Sequence, residues 1–528
     1  MFVNKVDEYS TVNKLRTIVL TLFVVCSYLS AQAIVHAKES PSTSLNLNTT
    51  ALSQLYNAHA GYLWLKHRKL TPQTHDALEF IASSINHGFE PNDYHHDLLT
   101  LLDPQASKTQ AQQFDILLSD GLLKLMRDLA IGQLKSTDVD PQWEIPQAKF
   151  DAINYLQQSL INKQLKKQLN ALIPELAEYQ VLTSALARYQ SYEERGGWQE
   201  IPETPLLNPG DVHGSVPLIR ERLNFVNQAL LQISTKKRRY YDPDLVDEVK
   251  KFQGQHSLKV DGIIGTETRL AMNVSAKQRI QQIKLNLDRL RWLPKDLGHR
   301  YIMVNIPDFS LTAIDQDQNK LKMRVIVGKR KRPTPSMSGQ ISHLVFNPYW
   351  NVPRKLARLD LLPKQQQNSN YFYLQDIRVY KSEHGEKVEV DPFFINWQEI
   401  SARHFPYSLR QDPGETNALG KMKFFMPNPW DIYLHDTPNK GLFSDASRNF
   451  SSGCIRLEDP AALAHFSLAE NPQHFSIDEA IASGKNQWLK LSHPINVYTT
   501  YFTAWANENG FIFAPDSYKR DLIDAKRL

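Results

Sequence analysis

Apolar and polar residues recur with two different periods along this chain of 528 residues. From residue 42 to about 205, apolar residues return every three or four positions, as Leu118, Leu122 and Leu125 do, which is typical of one face of a helix. From about residue 298 to 505 the period is two, which indicates strands. We therefore expect a multi-domain α+β chain with a helical N-terminal region and a mainly β C-terminal region.

Strands are predicted at Ile341–Phe346, Asp431–His435 and Ile495–Phe502. A helical connector is expected over 276–293, before the period changes. A short tail, 506–528, ends polar and is expected to pack against the β region.

A small helical module is predicted at 215–274, after a stretch rich in proline and glycine that has the composition of a linker. Within it, Leu245, Val249 and Phe252 form one apolar stripe. The Asp261–Gly262 pair is a turn signal. The module offers no catalytic group of its own.

The N-terminus has the pattern of a secretory signal peptide. Lys14 and Arg16 precede an apolar run at 17–29, and small residues at 31–37 offer cleavage sites. The run is about 13 residues long, whereas a membrane span needs about 20. We expect residues 1–37 to be removed, with an uncleaved anchor as the alternative.

Composition narrows the classes of function. The net charge is +5, 22% of residues are charged and 41% are hydrophobic, which is typical of a globular protein and gives no indication of nucleic-acid binding. Two cysteines exclude a disulfide scaffold and a zinc site of four thiolates. No H-E-x-x-H motif supports a zinc peptidase.

Removal of the signal peptide would leave Cys454 as the only thiol. A lone cysteine in an exported protein is a buried inert residue, half of an intermolecular bridge, or a nucleophile. His435 ends a predicted strand and could take the thiol proton. Gly453 lets main-chain amides approach a substrate carbonyl, and Arg456 would share a face with Cys454 on a strand, where it could bind a carboxylate or stabilise a thiolate.

The small module resembles the three-helix type of peptidoglycan-binding domain. The matching features are Phe252–Gln253, the Asp-Gly-x-x-Gly run at 261–265 and the threonine that follows it. The resemblance implies a module that binds peptidoglycan; a fold kept without glycan binding is the alternative.

The C-terminal block resembles the L,D-transpeptidase catalytic domain of the YkuD type. His435 is followed after 15 residues by Ser-Ser-Gly-Cys-Ile-Arg at 451–456, and further matches lie at 325–329, 334–335, 347–353 and 417–420. The resemblance implies a β-sandwich-like domain whose thiol cleaves and rejoins peptidoglycan stem peptides. The order of the blocks resembles the large YcbB-like branch, in which the helical region is a scaffold.

One residue departs from the family motif. Ser452 stands where the family usually has a histidine, so we expect it to be a hydrogen-bonding neighbour and His435 to be oriented by a backbone carbonyl. Tyr433, two residues before His435, either lines the pocket or serves packing.

These observations give the predicted division of the chain: 1–37 signal peptide, 42–205 helical scaffold, 215–274 peptidoglycan-binding domain, 298–505 catalytic domain and 506–528 tail. Within the catalytic domain, 354–416 is longer than a compact β domain needs and is interpreted as an inserted lid.

The resemblance implies a mechanism with no metal or organic cofactor. Cys454 attacks the stem carbonyl at the third, L-configured residue, amides at Gly453 and Cys454 hold the oxyanion, and terminal D-Ala leaves. An amine of a neighbouring stem then takes the acyl group, giving a 3→3 crosslink, and carbapenems would acylate the same thiol. The alternatives are a carboxypeptidase that uses water, and a non-catalytic wall-binding protein.

The partners implied are peptidoglycan tetrapeptide stems, as donor and acceptor, together with other cell-wall synthesis proteins. Contact with the membrane would come only through the signal peptide or an uncleaved anchor. The implied location is the periplasm.

Overall fold

The computed structural model describes residues 47–57, 59, 61–225, 238–471, 475–507 and 510–522. The predicted signal peptide and Cys26 therefore lie outside the described residues. Within the described ranges, no helix is both long enough and apolar enough to cross a membrane.

Helices dominate the N-terminal region, as the periodicity predicts. They are α1 (Thr49–Asn57), α2 (Pro72–Ser83), α3 (His96–Leu101), α4 (Lys108–Ile131), α5 (Ser136–Val139), α6 (Ala152–Ile161), α7 (Leu165–Asn170) and α8 (Ala177–Glu194). Three two-residue strands interrupt them: β1 (Leu65–Lys66), β2 (Lys69–Leu70) and β3 (Trp143–Glu144). The start of α2 shows the local chemistry, because Thr71 caps it in a capping box with Thr74 and Pro72 occupies its first turn.

The small module consists of α9 (Val216–Asn224), α10 (Pro243–Gln255) and α11 (Thr266–Asn273). The predicted apolar stripe of α10 is buried. The side chain of Gln253 accepts hydrogen bonds from the main-chain amides of Asp261, at 3.1 Å, and Gly262, at 2.8 Å. The Phe-Gln and Asp-Gly motifs of the sequence are therefore one hydrogen-bonded unit.

The predicted connector is α12 (Ala276–Arg291), which begins at a capping box formed by Ser275 and Gln278. It packs with α8 in a core that also contains Trp143 from the N-terminal region and Phe513 from the C-terminal region. Helices α1–α4, α6 and α7 form a separate core around Leu118. Residues 42–205 thus contribute to three cores, one of them shared with the C-terminal region and one, through Ile201, with the small module.

The C-terminal region is rich in strands, as the period of two predicts. They are β4 (Arg300–Asn305), β5 (Ser310–Asp315), β6 (Gln318–Ile326), β7 (Ser336–Phe346), β8 (Trp350–Asn351), β9 (Ile377–Glu383), β10 (Glu386–Val390), β11 (Tyr407–Gln411), β12 (Met422–Phe425), β13 (Leu434–His435), β14 (Ile455–Leu457), β15 (Gln487–Thr500), β16 (Ala504–Asn507) and β17 (Gly510–Phe513). Its helices are α13 (Arg354–Leu356), α14 (Leu362–Gln367), α15 (Tyr371–Leu374), α16 (Pro460–Leu468) and α17 (Ile477–Ala482).

The main sheet has the strand order β12-β13-β14-β6-β5-β4-β15-β7-β3, and β7 also pairs with β12. This extra pairing closes eight strands into a ring around an apolar core that includes Val304, Leu344, Leu434 and Ile455. Closure leaves those strands without a free edge. The N-terminal strand β3 joins the sheet by pairing in parallel with the start of β7.

The predicted strand Ile341–Phe346 is confirmed as the end of β7. The predicted strand Ile495–Phe502 is confirmed as the end of β15, except for its last two residues, which lie beyond β15. The prediction for Asp431–His435 is wrong over its first part, since only Leu434 and His435 belong to β13. The Asn428 side chain accepts from the Ile432 amide at 3.0 Å and donates to its carbonyl at 2.6 Å. These bonds hold a turn before the strand, with Asp431 at φ +52°.

The insertion predicted at 354–416 leaves the main sheet between β7 and β12, two strands that pair with each other. Its strands β9, β10 and β11 form a second sheet together with β8, which precedes the insertion, in the order β10-β9-β11-β8. Phe372, Val379 and Trp397 belong to a separate buried cluster of this segment.

Candidate active site

The parallel pair β13–β14 brings the two predicted reacting residues together. In its register, Leu434 faces Ile455 and His435 faces Arg456. Leu434 and Ile455 point into the ring core. Because side chains alternate along a strand, His435 and Arg456 lie on the opposite face. Cys454 immediately precedes β14.

The loop before Cys454 is fixed by main-chain and hydroxyl hydrogen bonds. Ser451 pairs with the segment after β6, donating its amide to the Val327 carbonyl at 2.9 Å and accepting from the Lys329 amide at 3.0 Å. The Thr334 hydroxyl donates to the Gly453 carbonyl at 2.7 Å. The upstream motifs at 325–329 and 334–335 thus hold the loop that carries the thiol.

Gly453 adopts a backbone that other residues rarely tolerate, with φ +123°. A Cβ at this position would meet Cδ1 of Ile432 at 2.9 Å. The glycine predicted from the motif is therefore required by both conformation and space.

Cys454 is a half-buried free thiol. It donates to the main-chain carbonyl of Asp431, with 3.7 Å between sulfur and oxygen. Burial raises the pKa of the thiol, while hydrogen bonds from Tyr433 and the positive charges of Lys423 and Arg456 lower it, giving a net increase. The resting thiol is neutral.

His435 is buried, and its Nδ1 lies 2.5 Å from the main-chain oxygen of Asp436. A carbonyl only accepts, so Nδ1 carries the proton and Nε2 keeps its lone pair. Burial and the charge of Arg456 lower the pKa of His435 to about 3. The orientation by a backbone carbonyl agrees with the sequence-based expectation, and the imidazole is a neutral base.

Tyr433 lies close to both His435 and Cys454. Its ring centroid is 5.7 Å from that of His435, and burial and the neighbouring Cys454 raise its pKa. The sequence analysis missed Lys423, which faces His435 across the β12–β13 pair and has its Nζ 3.8 Å from the Tyr433 ring centroid. No local motif marks Lys423, because its position depends on strand pairing.

Arg456 carries an unused donor. Its Nε is buried and has no hydrogen-bond partner among the described residues. Burial lowers the pKa of the guanidinium, and the neighbouring Cys454 raises it. An unpaired buried N–H is unfavourable, so this group is suited to meet an acceptor on a bound molecule.

Ser452 is exposed, and its hydroxyl binds an arginine instead of a reacting group. Its Oγ accepts from Nη1 of Arg332 at 3.0 Å, and Arg332 pairs through both terminal nitrogens with Asp360 of the insertion. The residue that departs from the family motif therefore links the thiol loop to the insertion. Sequence reasoning also missed Arg332 and Asp360.

The two amides predicted to hold an oxyanion differ in their availability. The Gly453 amide donates to Ser451 Oγ at 3.1 Å. The Cys454 amide has no acceptor among the residues that the structure describes. The Cys454 amide is therefore the one left free in this arrangement.

Comparison with known proteins identifies the block that carries this site. Residues 299–473 match the family YkuD, described as "L,D-transpeptidase catalytic domain". The chain therefore contains a YkuD L,D-transpeptidase catalytic domain. Residues 50–186 match a family described as "Scaffold domain" and residues 213–272 one described as "Putative peptidoglycan binding domain". Their order along the chain is the order expected from the sequence.

A protein of Haemophilus influenzae described as "Putative L,D-transpeptidase" is 37% identical over 244 residues. The alignment covers 46% of this chain and 48% of the relative, so the chain spans about half the length of the curated relative it matches.

Two solved structures show only distant similarity. An L,D-transpeptidase from Mycobacterium smegmatis is 13% identical, with a TM-score of 0.20 over 38% of this chain and 58% of its own. One from Xylanimonas cellulosilytica is 11% identical, with a TM-score of 0.19 over 57% of this chain and 100% of its own.

Proposed function

We propose that this protein is a peptidoglycan L,D-transpeptidase that acts through a Cys454 thioester. The observation that supports this most is the position of a free thiol beside a strand that ends in a neutral, oriented histidine. The matches to a YkuD catalytic domain and a peptidoglycan-binding domain make peptidoglycan stems the natural substrate class.

The pKa directions of both groups favour a neutral resting pair over a thiolate–imidazolium pair. Once a stem peptide binds, Nε2 of His435 takes the thiol proton as Cys454 attacks the carbonyl of the L-configured third residue. The Cys454 amide, joined by the Gly453 amide if it leaves Ser451, stabilises the oxyanion.

Collapse of the tetrahedral intermediate breaks the bond to terminal D-Ala. The protonated His435 sits beside Arg456 and Lys423, whose charges disfavour the imidazolium and so promote transfer of its proton to the departing amine. The amine of a neighbouring stem then attacks the thioester, His435 takes a proton from it, and the same proton passes to the sulfur of Cys454 as the thioester bond breaks. The products are a 3→3 crosslink and free enzyme.

The remaining residues have proposed substrate roles. Arg456 offers its unpaired Nε to a stem carboxylate, and Tyr433 lines the pocket beside the sulfur.

Ser452 positions the thiol loop through its hydrogen bond with Arg332. The insertion at 354–416 acts as a lid that limits water at the thioester, supported by its Arg332–Asp360 link to that loop.

The same proposal divides the chain into the domains predicted above and places it in the periplasm, by way of a signal peptide at 1–37. Carbapenems, which acylate by the same chemistry, are expected to modify Cys454.

Product analysis with purified stem tetrapeptides tests the proposal. Cys454→Ala is expected to abolish crosslinked dimer while leaving the thermal unfolding midpoint unchanged, and Cys454→Ser should retain the volume but lose activity by at least a hundredfold. Tripeptide without dimer would make the enzyme a carboxypeptidase. Undiminished turnover by Cys454→Ala would overturn the nucleophile assignment.

A further inference from the structure

A row of side chains crosses the outer face of the main sheet and ends at the active site. The strand registers place Trp488 opposite Val345, Val345 opposite Lys423, and Lys423 opposite His435. His435 in turn faces Arg456. The row therefore joins five neighbouring strands on the face that carries the reacting groups.

The far end of this row is aromatic and open. The ring centroid of Trp488 lies 5.3 Å from that of Phe425 and 5.9 Å from that of His343. The ring centroids of Phe425 and His343 are 6.2 Å apart. We refer to Trp488, Phe425 and His343 as the Trp488 cluster. The Trp488 residue is 53% exposed, so the insertion does not cover it.

The Trp488 cluster is continuous with the active site. Nζ of Lys423 lies 5.7 Å from the Phe425 ring centroid and 3.8 Å from that of Tyr433. Tyr433 contacts His435 and lies beside Cys454. The Trp488 cluster and the thiol thus lie on the same sheet face, with Lys423 and the buried Val345 between them.

We propose that the Trp488 cluster binds a sugar ring of the glycan strand whose stem peptide enters the active site. This inference rests on the proposed function. Aromatic faces carry negative charge density, which attracts the polarised C–H groups on the flat face of a pyranose. An exposed indole with two neighbouring rings supplies such a platform.

The length of the row suits a stem attached to its sugar. Neighbouring strands are about 4.8 Å apart, so Trp488 lies about 15 to 19 Å along the sheet from the gap between His435 and Cys454. Three extended residues span about 10 Å, and three stem residues separate the sugar linkage from the scissile bond. The linker and the breadth of the sugar and indole rings account for the rest.

Two substrates separate sugar binding from peptide binding. Acylation would be followed with a disaccharide-tetrapeptide and with the same tetrapeptide lacking sugar. Trp488→Ala and Trp488→Leu are expected to raise KM for the disaccharide-tetrapeptide about tenfold without changing kcat. Neither change should alter KM for the free tetrapeptide. Trp488→Phe keeps a ring and should stay within about threefold of the parent.

Leu101→Ala is the control, because Leu101 is an exposed apolar side chain on α3, outside the main sheet. Unchanged KM for the disaccharide-tetrapeptide in Trp488→Ala, or an equal rise for both substrates, would overturn the sugar site. A KM for the disaccharide-tetrapeptide that stays at the parent value in Trp488→Leu would also overturn the sugar site. Any apolar side chain would then be sufficient, and the face would suit an apolar protein partner.

A binding measurement keeps this inference separate from the proposed reaction. Calorimetry would use the disaccharide-tetrapeptide with Cys454→Ala and with the Cys454→Ala, Trp488→Ala double variant. A tenfold weaker Kd in the double variant supports the sugar site even if the parent enzyme forms no thioester. Equal Kd values would overturn the sugar site even if the parent enzyme is active.

Discussion

Arg456 acts on both members of the reacting pair. Its charge lowers the pKa of His435 and also lowers that of Cys454, whose net shift is nevertheless upward because of burial. The same cation therefore adds to burial, the larger cause, in keeping His435 unprotonated in acid, and makes the thiol easier to ionise.

Replacing this cation should shift both limbs of the pH profile. In Arg456→Met, the pKa of His435 rises from about 3 towards its usual range, so the acid limb of kcat/KM moves to higher pH. The pKa of Cys454 rises further, so alkylation by iodoacetamide needs a higher pH. Arg378→Met is the control, because Arg378 pairs with Glu389 and Asp412 in the insertion. An unchanged acid limb would contradict the assigned electrostatics.

His435 should also make stability depend on pH. Its folded pKa of about 3 lies below the unfolded value of about 6.5, so the unfolded state binds the proton first. The stability is fully present above pH 6.5 and is lost as the pH falls towards 3, by about 1.4 kcal/mol per pH unit from this residue. Urea unfolding at pH 7 and pH 4.5 should show a smaller drop for His435→Asn. Equal drops would mean that His435 is not buried and neutral.

Short-range pattern pointed to the residues that the proposed mechanism uses. The spacing between His435 and Cys454, together with Gly453, singled them out, and the β13–β14 pair places them on neighbouring strands or next to them. Lys423 could not be found in this way, because it meets His435 only through the β12–β13 pairing. Arg332 was missed for the same reason, since its partner Asp360 lies 28 positions away, in the insertion.

At the scale of elements, the insertion supplies most of a second sheet and a separate buried cluster. Arg332 links it to the loop that carries the thiol, because Arg332 pairs with Asp360 and donates to Ser452. The Arg332–Asp360 pair is partly shielded from solvent. Its proposed effect is to keep the insertion close to Ser452, where it limits the access of water.

Loosening this link should favour hydrolysis over transfer. Arg332→Gln is expected to raise the ratio of tripeptide to crosslinked dimer several-fold, because water reaches the thioester more easily. Ser452→Ala removes only the Arg332–Ser452 hydrogen bond and should have a smaller effect. Product ratios are measured by chromatography of the digested stems. A ratio that stays constant in Arg332→Gln would contradict the role of the insertion as a lid.

The elements themselves were predicted unevenly. Helical spacing and the period of two identified the α and β regions, because each pattern is local. The closure of the sheet by β7 and β12 could not be predicted, since the insertion separates these strands in sequence. The turn at Asn428 was also missed, because its side-chain hydrogen bonds replace the expected strand pairing.

At the scale of the whole molecule, the N-terminal region and the catalytic domain share a core, and two ion pairs join the N-terminal region and the connector to the C-terminal tail. The strand β3 adds to the catalytic sheet, and Asp140, just before it, pairs with Arg520 at 2.7 Å. Arg289 on α12 pairs with Asp521 at 2.8 Å. These contacts hold the scaffold, the connector and the C-terminal segment in one arrangement.

Removing one partner of a buried pair should be costly. Arg520→Met leaves Asp140 buried without its cation and is expected to lower the free energy of unfolding by about 3 to 5 kcal/mol. Denaturant unfolding followed by tryptophan fluorescence measures this change. Lys166→Met removes an exposed pair with Glu79 and should leave the midpoint almost unchanged. Similar midpoints for both variants would show that the Arg520–Asp140 contact does not join the two regions.

The most direct test of the whole account is the intact mass of the protein after brief incubation with a stem tetrapeptide. We predict an adduct equal to the tetrapeptide minus D-Ala, located on Cys454 by peptide mapping and absent from Cys454→Ala. It should disappear when an acceptor stem is added, as dimer forms. No adduct on Cys454, under conditions in which dimer accumulates, would contradict the thioester mechanism.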